Sequence, residues 1–325
     1  MDVSIVIPTK NGGPLFDKVL DRVYSQKTKY SYEVICVDSG SKDGTLDVIR
    51  RHGAILYQIP PSDFGHGKTR NFGASKGTGE FIVFITQDAL PYNDTWLESF
   101  IDAMKLDDCI AGGFGKHYPY PDCNLPDKVM LRNHFANFGE ENHIFQLTDD
   151  RRDEYFNDEG YRQYLAFFSD NNSCLRRSVW EKIPYDDVNF AEDQFWARKI
   201  LEAGYKKVYC PYAGVYHSHN YPLSEYYGRY YDDFKAVYKV YGSQICHNRR
   251  EFWAGIKNST RADWGFIRHE PIGKKKKIYW AFYALRRNII RYRAGVKAVE
   301  YYKVSEEEQR RMDRKYSQQL QMRRK

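Results

Sequence analysis

Short apolar runs alternate with amphipathic stretches over the first part of the chain. Between the runs, apolar residues recur every three or four positions, as at Leu15, Val19 and Val23, which predicts helices. Strands and helices that alternate in this way predict an α/β fold with a doubly wound, mostly parallel sheet of the Rossmann-like type. The predicted strands are Val3–Ile7, Glu33–Val37, Ile55–Ile59 and Phe81–Ile85, and the predicted helices are Pro14–Tyr24, Thr45–Arg50 and the later part of Gly65–Gly77.

Beyond residue 96 the pattern is less regular. Residues 115–160 are rich in Pro, Asn, Asp and aromatic residues and give no clear assignment. The chain from Lys274 onward is predicted to be helical to its end, so we divide the protein into residues 1–225 and a helical extension, 226–325. The other predicted elements are helices over Trp96–Met104, Asp193–Ala203 and Tyr226–Tyr241 and a short strand over Lys207–Tyr209.

The C-terminal extension differs from the rest of the chain in charge. The whole chain has a net charge of +7, but residues 270–325 contain 17 Lys or Arg and 6 Asp or Glu, so this segment has a net charge of +11 and the remainder −4. An apolar stripe, about 22 residues or 33 Å long if helical, runs through it. The stripe consists of Ile278, Phe282, Leu285, Ile289, Tyr292, Val296 and Val299.

Two interpretations of this extension remain open. A basic amphipathic helix is typical of a protein that lies on an anionic membrane surface, here through residues 274–325. The same pattern is typical of a helix that packs on its own body or on a second subunit of a homodimer. No nucleic acid is expected as a partner, since no nucleic-acid-binding motif accompanies the charge.

The cysteines and the N-terminus indicate a cytoplasmic protein. The six cysteines are scattered and form no C-x-x-C pair, which predicts free buried thiols rather than a zinc site or a disulfide framework. The chain enters its first strand at Val3, so no signal peptide is expected. No apolar run approaches the roughly 20 residues that a membrane span requires.

Polar loops follow the first two predicted strands, at the sheet edge where α/β proteins bind ligands. Pro8, Thr9 and Asn11 follow the first strand, where exposed backbone groups can pair with a nucleobase. Asp38 ends the second strand before Ser39-Gly40-Ser41, and its carboxylate can accept hydrogen bonds from a nucleoside. Asp43 and Thr45, further along this loop, are better explained as turn and helix-capping residues.

The third loop, Asp63–Asn71, combines glycine with positive charge. Gly67, Lys68 and Arg70 stand just before or within a predicted helix start, a combination that suits contact with a diphosphate. The spacing of a P-loop is absent. An ordinary solvated basic loop is the alternative.

The fourth strand ends in Thr86-Gln87-Asp88. A hard cation that bridges two phosphates needs one or two carboxylates, and here Asp88 is one acid while Gln87 takes the place of another. These loops, taken as a set, resemble inverting family-2 glycosyltransferases of the GT-A fold over roughly residues 3–220. The segments that match are Ile5–Asn11, Val37–Thr45, Arg70-Asn71 and Thr86–Ala89, and Phe64–Asn71 with Thr86–Ala89 looks most like bacterial rhamnosyltransferases that use dTDP-L-rhamnose.

The resemblance implies a catalytic domain over residues 1–225, with a nucleotide-sugar half, about 1–110, and an acceptor half, about 111–225. It also implies a divalent metal, Mg²⁺ or Mn²⁺, on Asp88, although Thr86 stands where the family has the first acid of its Asp-x-Asp motif. The residues implied in donor nucleotide binding are Pro8, Thr9, Asn11, Asp38, Gly67, Lys68, Arg70, Gln87 and Asp88.

Glu192 and Asp193 open a predicted helix. Adjacent acids at a helix start are also favoured by the helix dipole, so capping is the alternative role. In the family such a pair supplies the general base that takes the proton of the acceptor hydroxyl. We therefore expect Asp193 to be the base and Glu192 to assist it.

His217 and His219 lie on the same side of an extended chain, and imidazole nitrogen suits Mn²⁺. The resemblance places a metal-binding histidine near His217, which with Asp88 makes a mixed oxygen and nitrogen site. His219, with Asp170, Asn171 and Trp196, is a candidate for acceptor binding.

The expected function is inverting transfer of L-rhamnose from dTDP-L-rhamnose to a bacterial cell-surface polysaccharide or lipid-linked glycan. The protein is expected in the cytoplasm, peripherally on the inner face of the plasma membrane. Two alternatives remain: the same fold with a UDP-sugar donor, and a non-catalytic glycan-binding or scaffold protein, which the incomplete Asp-x-Asp motif favours.

Overall fold

The computed structural model describes residues 1–188 and 190–322, so residues 323–325 of the basic extension lie outside the described part. The described chain divides into two compact units. The first consists of residues 1–120 and 132–218, and the second of residues 121–131 and the chain from 219 onward. The division of the catalytic domain into donor and acceptor halves stays a prediction.

The first unit is built on one mixed sheet, in the order β3-β2-β1-β4-β8-β6-β9-β5, with β7 paired to β9. Strands β3, β2, β1, β4, β6 and β9 run in one direction, and β5, β7 and β8 run against them. The predicted, mostly parallel sheet is confirmed. The strands are β1 Val3–Thr9, β2 Tyr32–Asp38, β3 Ile55–Gln58, β4 Phe81–Ile85, β5 Leu90–Pro91, β6 Ile110–Tyr118, β7 His143–Phe145, β8 Asn172–Arg176 and β9 Lys206–Tyr216.

The adjacent central strands β1 and β4 are mostly apolar because helices cover the sheet. All five residues of β4 are buried, and so are six of the seven in β1. The helices that lie wholly in this unit are α1 Gly13–Tyr24, α2 Thr45–Arg51, α3 His66–Lys76, α4 Trp96–Met104, α6 Arg152–Asn157, α7 Glu159–Ala166, α8 Arg177–Trp180 and α9 Glu192–Glu202, with 3₁₀ turns at Pro61–Asp63 and Asp149–Arg151. Helix α5 Leu125–Ala136 begins in the second unit, which contains its residues 125–131.

The register of the sheet brings the predicted loops together. Thr9 pairs with Asp38 across the parallel β1–β2 ladder, and Val6 pairs with Phe84 across the β1–β4 ladder. The carboxyl ends of these strands therefore meet at one edge. This edge positions the candidate site.

The sequence analysis missed four strands, the short β5 and β7 and the longer β6 and β8, and β9 is longer than Lys207–Tyr209. Glycines weaken a strand pattern, and β6 contains three of them. Packing accounts for two: a Cβ on Gly112 would lie 2.7 Å from the Trp196 ring, and one on Gly115 would lie 2.0 Å from the Ala213 carbonyl oxygen. Close approach here therefore excludes the β-branched residues by which strands are recognised.

The second unit is helical. Its helices are α10 Leu223–Tyr241, α11 Arg249–Ile267, α12 Lys274–Glu300, α13 Glu306–Tyr316 and α14 Gln318–Met322, with a 3₁₀ turn at Tyr301–Lys303. The prediction that the chain is helical from Lys274 onward is confirmed for the described residues, and Val304 and Ser305 separate α12 and its 3₁₀ turn from α13, which Ser305 caps. Tyr226, Tyr230 and Tyr231 of α10 pack against Ala294 and Ala298 of α12 in the core of this unit.

The apolar stripe of α12 lies largely on the exposed side of the helix. Ile278 is 55% exposed and Phe282 is 65% exposed, while Tyr292 and Val299 are buried. The residues that α12 buries are mostly small or polar: Ala284, Arg287, Asn288, Ala294, Gly295 and Ala298. For the first half of the stripe, packing on the protein's own body is therefore the wrong interpretation.

A buried ion pair holds α12 to the start of α5 within the second unit. The Arg287 guanidinium donates to the Asp127 carboxylate at 2.6 Å, and both side chains are almost fully buried. The same carboxylate accepts a hydrogen bond from the Asn124 amide at 2.6 Å and another from the Tyr226 hydroxyl. Such a pair needs these additional donors because burial removes water from both charges.

No helix among the described residues combines the length and the apolar character that crossing a bilayer requires. The six cysteines are free thiols. Four of them are buried as expected, but Cys109 is exposed and Cys246 is half-buried.

Candidate active site

The Asp38 carboxylate organises the first two loops. One of its oxygens accepts hydrogen bonds from the backbone N–H groups of Gly40 and Ser41, both at 2.9 Å. The other accepts from the Thr9 hydroxyl at 3.2 Å and from the Ser41 hydroxyl. Gly40 adopts a φ of +95°, which favours glycine. These four bonds use the carboxylate's usual acceptor capacity, so Asp38 fixes the loop in this structure; its contact with a nucleoside stays a prediction.

Hydrogen bonds from side-chain amides connect the loops to each other. Asn11, with a φ of +49°, accepts a hydrogen bond from the Lys42 backbone N–H at 2.8 Å. The Gln87 amide forms two bonds with the Lys10 backbone, accepting from its N–H at 2.8 Å and donating to its carbonyl at 3.0 Å. Pro8 is the penultimate residue of β1, directly before Thr9. The loops after β1, β2 and β4 thus form one connected rim.

Helix α3 presents Lys68 and Gly67 differently. Lys68 is exposed and makes no ion pair with another described residue, so its ammonium group is available to an anion. Gly67 is buried: a Cβ there would lie 2.4 Å from the Asp186 carbonyl oxygen and 3.3 Å from the Glu192 Cβ. The glycine permits close packing of α3 against the start of α9.

Arg70 lies in a buried cluster of acids rather than at the surface. Its guanidinium donates to the Glu192 carboxylate at 2.6 Å and lies 3.3 Å from an oxygen of Asp170. Asp193 adjoins them, because its carboxylate accepts a hydrogen bond from the Asp170 backbone N–H at 3.1 Å. Two carboxylates therefore pair with one guanidinium, and a third carboxyl group adjoins them. The Arg70 side chain is only 5% exposed and already paired, and its diphosphate contact stays a prediction.

The carboxyl groups of this cluster have raised pKa values. Burial raises the pKa of Glu192 to about 7, against the opposing effect of the Arg70 charge. Burial, followed by the charges of Glu192 and Asp170, holds the pKa of Asp193 well above its ordinary value. A carboxyl group with a raised pKa is the stronger proton acceptor once it is ionised, as a general base requires.

Ala191 enters α9 with a φ of +62°, in the left-handed region that residues other than glycine rarely occupy. The following two residues are Glu192 and Asp193. Such local strain is held by the surrounding structure and occurs preferentially at functional sites. Here it turns the chain so that the two adjacent acids enter the cluster.

Asp170 and Trp196 were predicted to contact an acceptor, and the structure places both side chains in the interior. Each is only 1% exposed, so neither offers surface to a sugar. The Trp196 indole donates to the Ile183 carbonyl at 2.7 Å and packs in the core. Asp170 accepts from the Tyr185 and Ser173 hydroxyls, both at 2.7 Å, and thereby belongs to the acid cluster. Sequence analysis missed Tyr185 and Ser173, since no motif marks either residue.

Asp88 and His217 form a second pair at this edge of the sheet. The His217 Nε2 lies 3.6 Å from a carboxylate oxygen of Asp88, within the span of a shared metal ion. The Asn171 amide is 3.4 Å from Nδ1 of the same ring. The amide atom that faces Nδ1 is the nitrogen; the flipped amide, with its oxygen accepting from Nδ1–H, would direct the Nε2 lone pair towards Asp88, as a metal ligand must.

The donor set at this pair fits a divalent metal. The buried hydroxyl oxygen of Thr86, two residues before Asp88, has no hydrogen-bond partner among the described residues. One carboxylate and one imidazole make a mixed oxygen and nitrogen site, suited to Mn²⁺ as well as Mg²⁺. His219 begins the second unit, where its ring lies 5.1 Å from that of Tyr221.

Comparison with known sequences gives one family. Residues 4–182, more than half of the chain, match the family described as Glycosyl transferase family 2. The O-antigen chain rhamnosyltransferase RfbN of Salmonella typhimurium is 34% identical over 236 residues, which cover 71% of each chain. The O-antigen chain rhamnosyltransferase WbaN of Salmonella anatum is 33% identical over 233 residues, 70% of each chain.

Solved structures share the fold. A mannosyltransferase from Pyrobaculum calidifontis, in complex with GDP-Man and Mn²⁺, matches with a TM-score of 0.57 at 17% identity, covering 92% of this chain and 86% of its own. Residues 1–349 of Staphylococcus aureus TarS, in complex with UDP-GlcNAc, match with a TM-score of 0.54 at 16% identity, covering 93% and 92%. At these identities the likeness concerns the fold alone.

Proposed function

Because the chain belongs to glycosyl transferase family 2 and is thus an enzyme that transfers a sugar, we propose that it moves L-rhamnose from dTDP-L-rhamnose onto a growing bacterial polysaccharide. The observation that supports this choice most directly is the similarity to two O-antigen chain rhamnosyltransferases over most of both chains. We propose further that the acceptor glycan is lipid-linked.

In the proposed reaction Asp193 is the general base. The acceptor hydroxyl loses its proton to the Asp193 carboxylate as its oxygen attacks the anomeric carbon of the donor sugar. The bond from that carbon to the diphosphate breaks on the opposite face, so the anomeric centre is inverted. Arg70 lies between Glu192 and Asp170 and favours their ionised forms, which leaves Asp193 as the group that takes the proton.

The leaving diphosphate needs positive charge. We propose that the exposed Lys68 contacts it and that Asp88 and His217 would hold a divalent metal beside it. When bound, such a metal neutralises charge on the leaving group. The nucleoside would bind at the rim formed by the loops after β1, β2 and β4. The residues of this rim are Pro8, Thr9, Asn11, Asp38 and Gln87.

The metal ligands can be tested without an activity assay. We expect His217→Gln to weaken Mn²⁺ binding, measured by electron paramagnetic resonance, by about tenfold or more, because one of two protein ligands is lost. His143→Gln, an exposed histidine in β7, is the control. Equal Mn²⁺ affinities of the two variants would remove His217 from the site.

Donor choice is tested by turnover of dTDP-L-rhamnose against UDP-glucose and UDP-GlcNAc in the presence of Mn²⁺. We expect dTDP-L-rhamnose to be consumed at least about tenfold faster, since a difference of 1.4 kcal/mol in transition-state binding gives that ratio. Faster turnover of a UDP-sugar would support the alternative donor. Absence of turnover with every donor would support a non-catalytic glycan-binding protein.

We also propose that the second unit lies at an anionic membrane surface, with the protein peripheral on the cytoplasmic face. Ile278, Tyr279 and Phe282 are exposed in α12 beside the lysines of its first turn, 274–277. Apolar side chains flanked by cations are typical of an interfacial helix.

Co-sedimentation with phosphatidylglycerol vesicles tests this surface. The double variant I278S/F282S should bind markedly less than the wild type, whereas Leu106→Ser, an exposed leucine of the first unit, should bind normally. Undiminished binding would contradict the proposal. A change from dimer to monomer in light scattering, without an effect on vesicle binding, would support the homodimer instead.

A further inference from the structure

A cavity of about 670 Å³ lies within the second unit, between the start of α11 and the end of α12. Its volume falls in the range of about 300–1,000 Å³ that is usual for small-molecule sites. Nothing in the proposed sugar transfer uses it. It is lined by Gln244, Cys246, His247, Asn248, Arg249, Phe252, Trp253, Val296, Val299, Glu300 and Lys303.

The floor and one wall of this cavity are apolar. Phe252, Trp253, Val296 and Val299 contribute to the lining. Phe252 packs edge-on against Tyr292, with 5.9 Å between ring centroids, which holds that wall in place. Trp253 is 64% exposed, an unusual state for a tryptophan that contacts no ligand.

The cavity also adjoins the exposed stripe of α12. Val296 belongs to both, because it lines the cavity and is one of the exposed apolar residues of the stripe. Val296 is therefore a point at which the cavity and the exposed stripe meet.

Two cations border this apolar space. Arg249 and Lys303 are exposed and form no ion pair with any residue in the described part of the chain. The acidic residue of the lining, Glu300, is already paired with Lys297 at 2.8 Å. The rim therefore presents positive charge that the protein itself does not balance.

We propose that this cavity binds a single-chain lipid phosphate, with its apolar chain against Trp253, Phe252 and Val296 and its phosphate or diphosphate at Arg249 and Lys303. A wholly polar metabolite would leave the apolar wall unused, and a plain hydrocarbon would leave the two cations unused. Both isoprenyl diphosphates and lysophospholipids have this chemistry. The inference does not depend on which sugar the first unit transfers.

Calorimetric titration of the full-length protein tests the ligand class. Farnesyl diphosphate, kept below its critical micelle concentration, is the probe, and inorganic diphosphate and farnesol supply the head and the chain alone. We expect farnesyl diphosphate to bind at least about tenfold more tightly than either part, because only the amphiphile satisfies wall and rim together. Equal affinity for diphosphate or for farnesol would overturn the proposal.

Oleoyl lysophosphatidic acid distinguishes the two sources. Tighter binding of farnesyl diphosphate supports an isoprenoid ligand, and tighter binding of the lysophospholipid supports a membrane lipid; either result supports a lipid phosphate site. If neither binds, the proposal fails.

Matched variants locate the site. Trp253→Ser should weaken farnesyl diphosphate binding by about fivefold or more, while Trp264→Ser, another exposed tryptophan of α11 outside the cavity, should have no effect. Arg249→Gln should weaken it by about two- to fivefold, and Arg250→Gln, its neighbour outside the lining, should not. If the members of each pair behave alike, the ligand binds elsewhere. Failure of the donor assay would leave these binding results unaffected.

Discussion

Each unit of this protein buries an arginine against carboxylates, but the two clusters differ in their balance of charge. In the second unit Arg287 pairs with Asp127, whose oxygens also accept hydrogen bonds from Tyr226 and Asn124. In the first unit Arg70 lies between Glu192 and Asp170, and Asp193 adjoins them.

The difference shows how similar groups can serve structure in one place and chemistry in another. Around Arg287 the Asp127 carboxylate is matched by the guanidinium and neutral donors, and the nearby buried Asp263 accepts a hydrogen bond from the Asn288 amide at 2.8 Å. Around Arg70 the buried Glu192 and Asp170 pair with one cation beside the half-buried Asp193, and the pKa of each carboxyl group is raised, in every case chiefly by loss of solvent. An excess of buried acid is costly for folding but supplies a proton acceptor near neutral pH.

The largest expected effect comes from removing the proposed base. Asp193→Asn should lower kcat by about 10²–10⁴-fold, the usual contribution of general acid–base catalysis. Single-turnover transfer from the donor is the measurement. Asp47→Asn, in a surface pair with Arg50, is the control for the same chemical change. Unchanged transfer by Asp193→Asn would show that Asp193 is not the base. The Arg70 cluster would then have no catalytic role that distinguishes it from the Arg287 cluster.

Loss of the ion pair between Arg287 and Asp127 should lower the stability of the protein rather than its catalytic rate. Arg287→Met should lower the free energy of unfolding by about 3–5 kcal/mol, because it leaves the Asp127 carboxylate buried without its cation. Urea unfolding measures this loss. Arg286→Met, the exposed neighbour in α12, should be nearly neutral. A similar small effect of both variants would show that Arg287 contributes little.

The acidic cluster should be visible in the pH dependence of the rate. Its carboxyl groups must lose protons before a base is available, and their pKa values are raised, so kcat/KM should rise with pH to near pH 7, where Glu192 titrates. Activity at pH 5.5 should be at least about tenfold below that at pH 7.5. A profile that is flat from pH 5 to 8 would contradict the raised pKa values.

Arg70→Gln sharpens this result. Removal of the guanidinium raises the carboxyl pKa values further, so the acidic limb should move to higher pH, whereas Arg286→Gln should leave it in place. The midpoint of the limb does not depend on the amount of folded enzyme, so a less stable variant still gives an answer.

The smallest predicted effects compare two tyrosines that donate to buried aspartates. Tyr185→Phe removes a bond to Asp170 that favours its ionised form, and should shift the acidic limb upward enough to lower the rate at pH 6 by roughly threefold. Tyr226→Phe removes a bond to Asp127 and should lower the free energy of unfolding by about 1 kcal/mol without moving the limb. Parallel kinetic and unfolding measurements separate the two; exchanged outcomes would reverse the assignment of roles.

The sequence predicted features whose cause is local. Strands β1 and β4 are apolar because both of their faces are buried, and the loops after them follow from strand ends. The acidic cluster could be predicted only in part. Glu192 and Asp193 are neighbours in sequence, but Arg70 lies 122 residues before Glu192, and no periodicity links the two.

The sequence predicted the apolar stripe of α12, but it did not show whether the stripe is buried or exposed. Periodicity identifies an apolar face without showing whether that face is buried. In α12 the small residues Ala294, Gly295 and Ala298 allow close packing on the opposite side. A Cβ on Gly295 would lie 2.6 Å from Ile245, which shows how closely this side is packed.

The ion pair between Asp127 and Arg287 can form only late in translation. The two residues are separated by 160 positions. At about 5–20 residues per second, a ribosome needs roughly 10–30 s to deliver the arginine after the aspartate has been made. During that interval residues 121–131 have emerged without the rest of their unit, so the second unit can close only after most of the chain exists. A nascent chain stalled before α12 should therefore be recognised by chaperones at this segment.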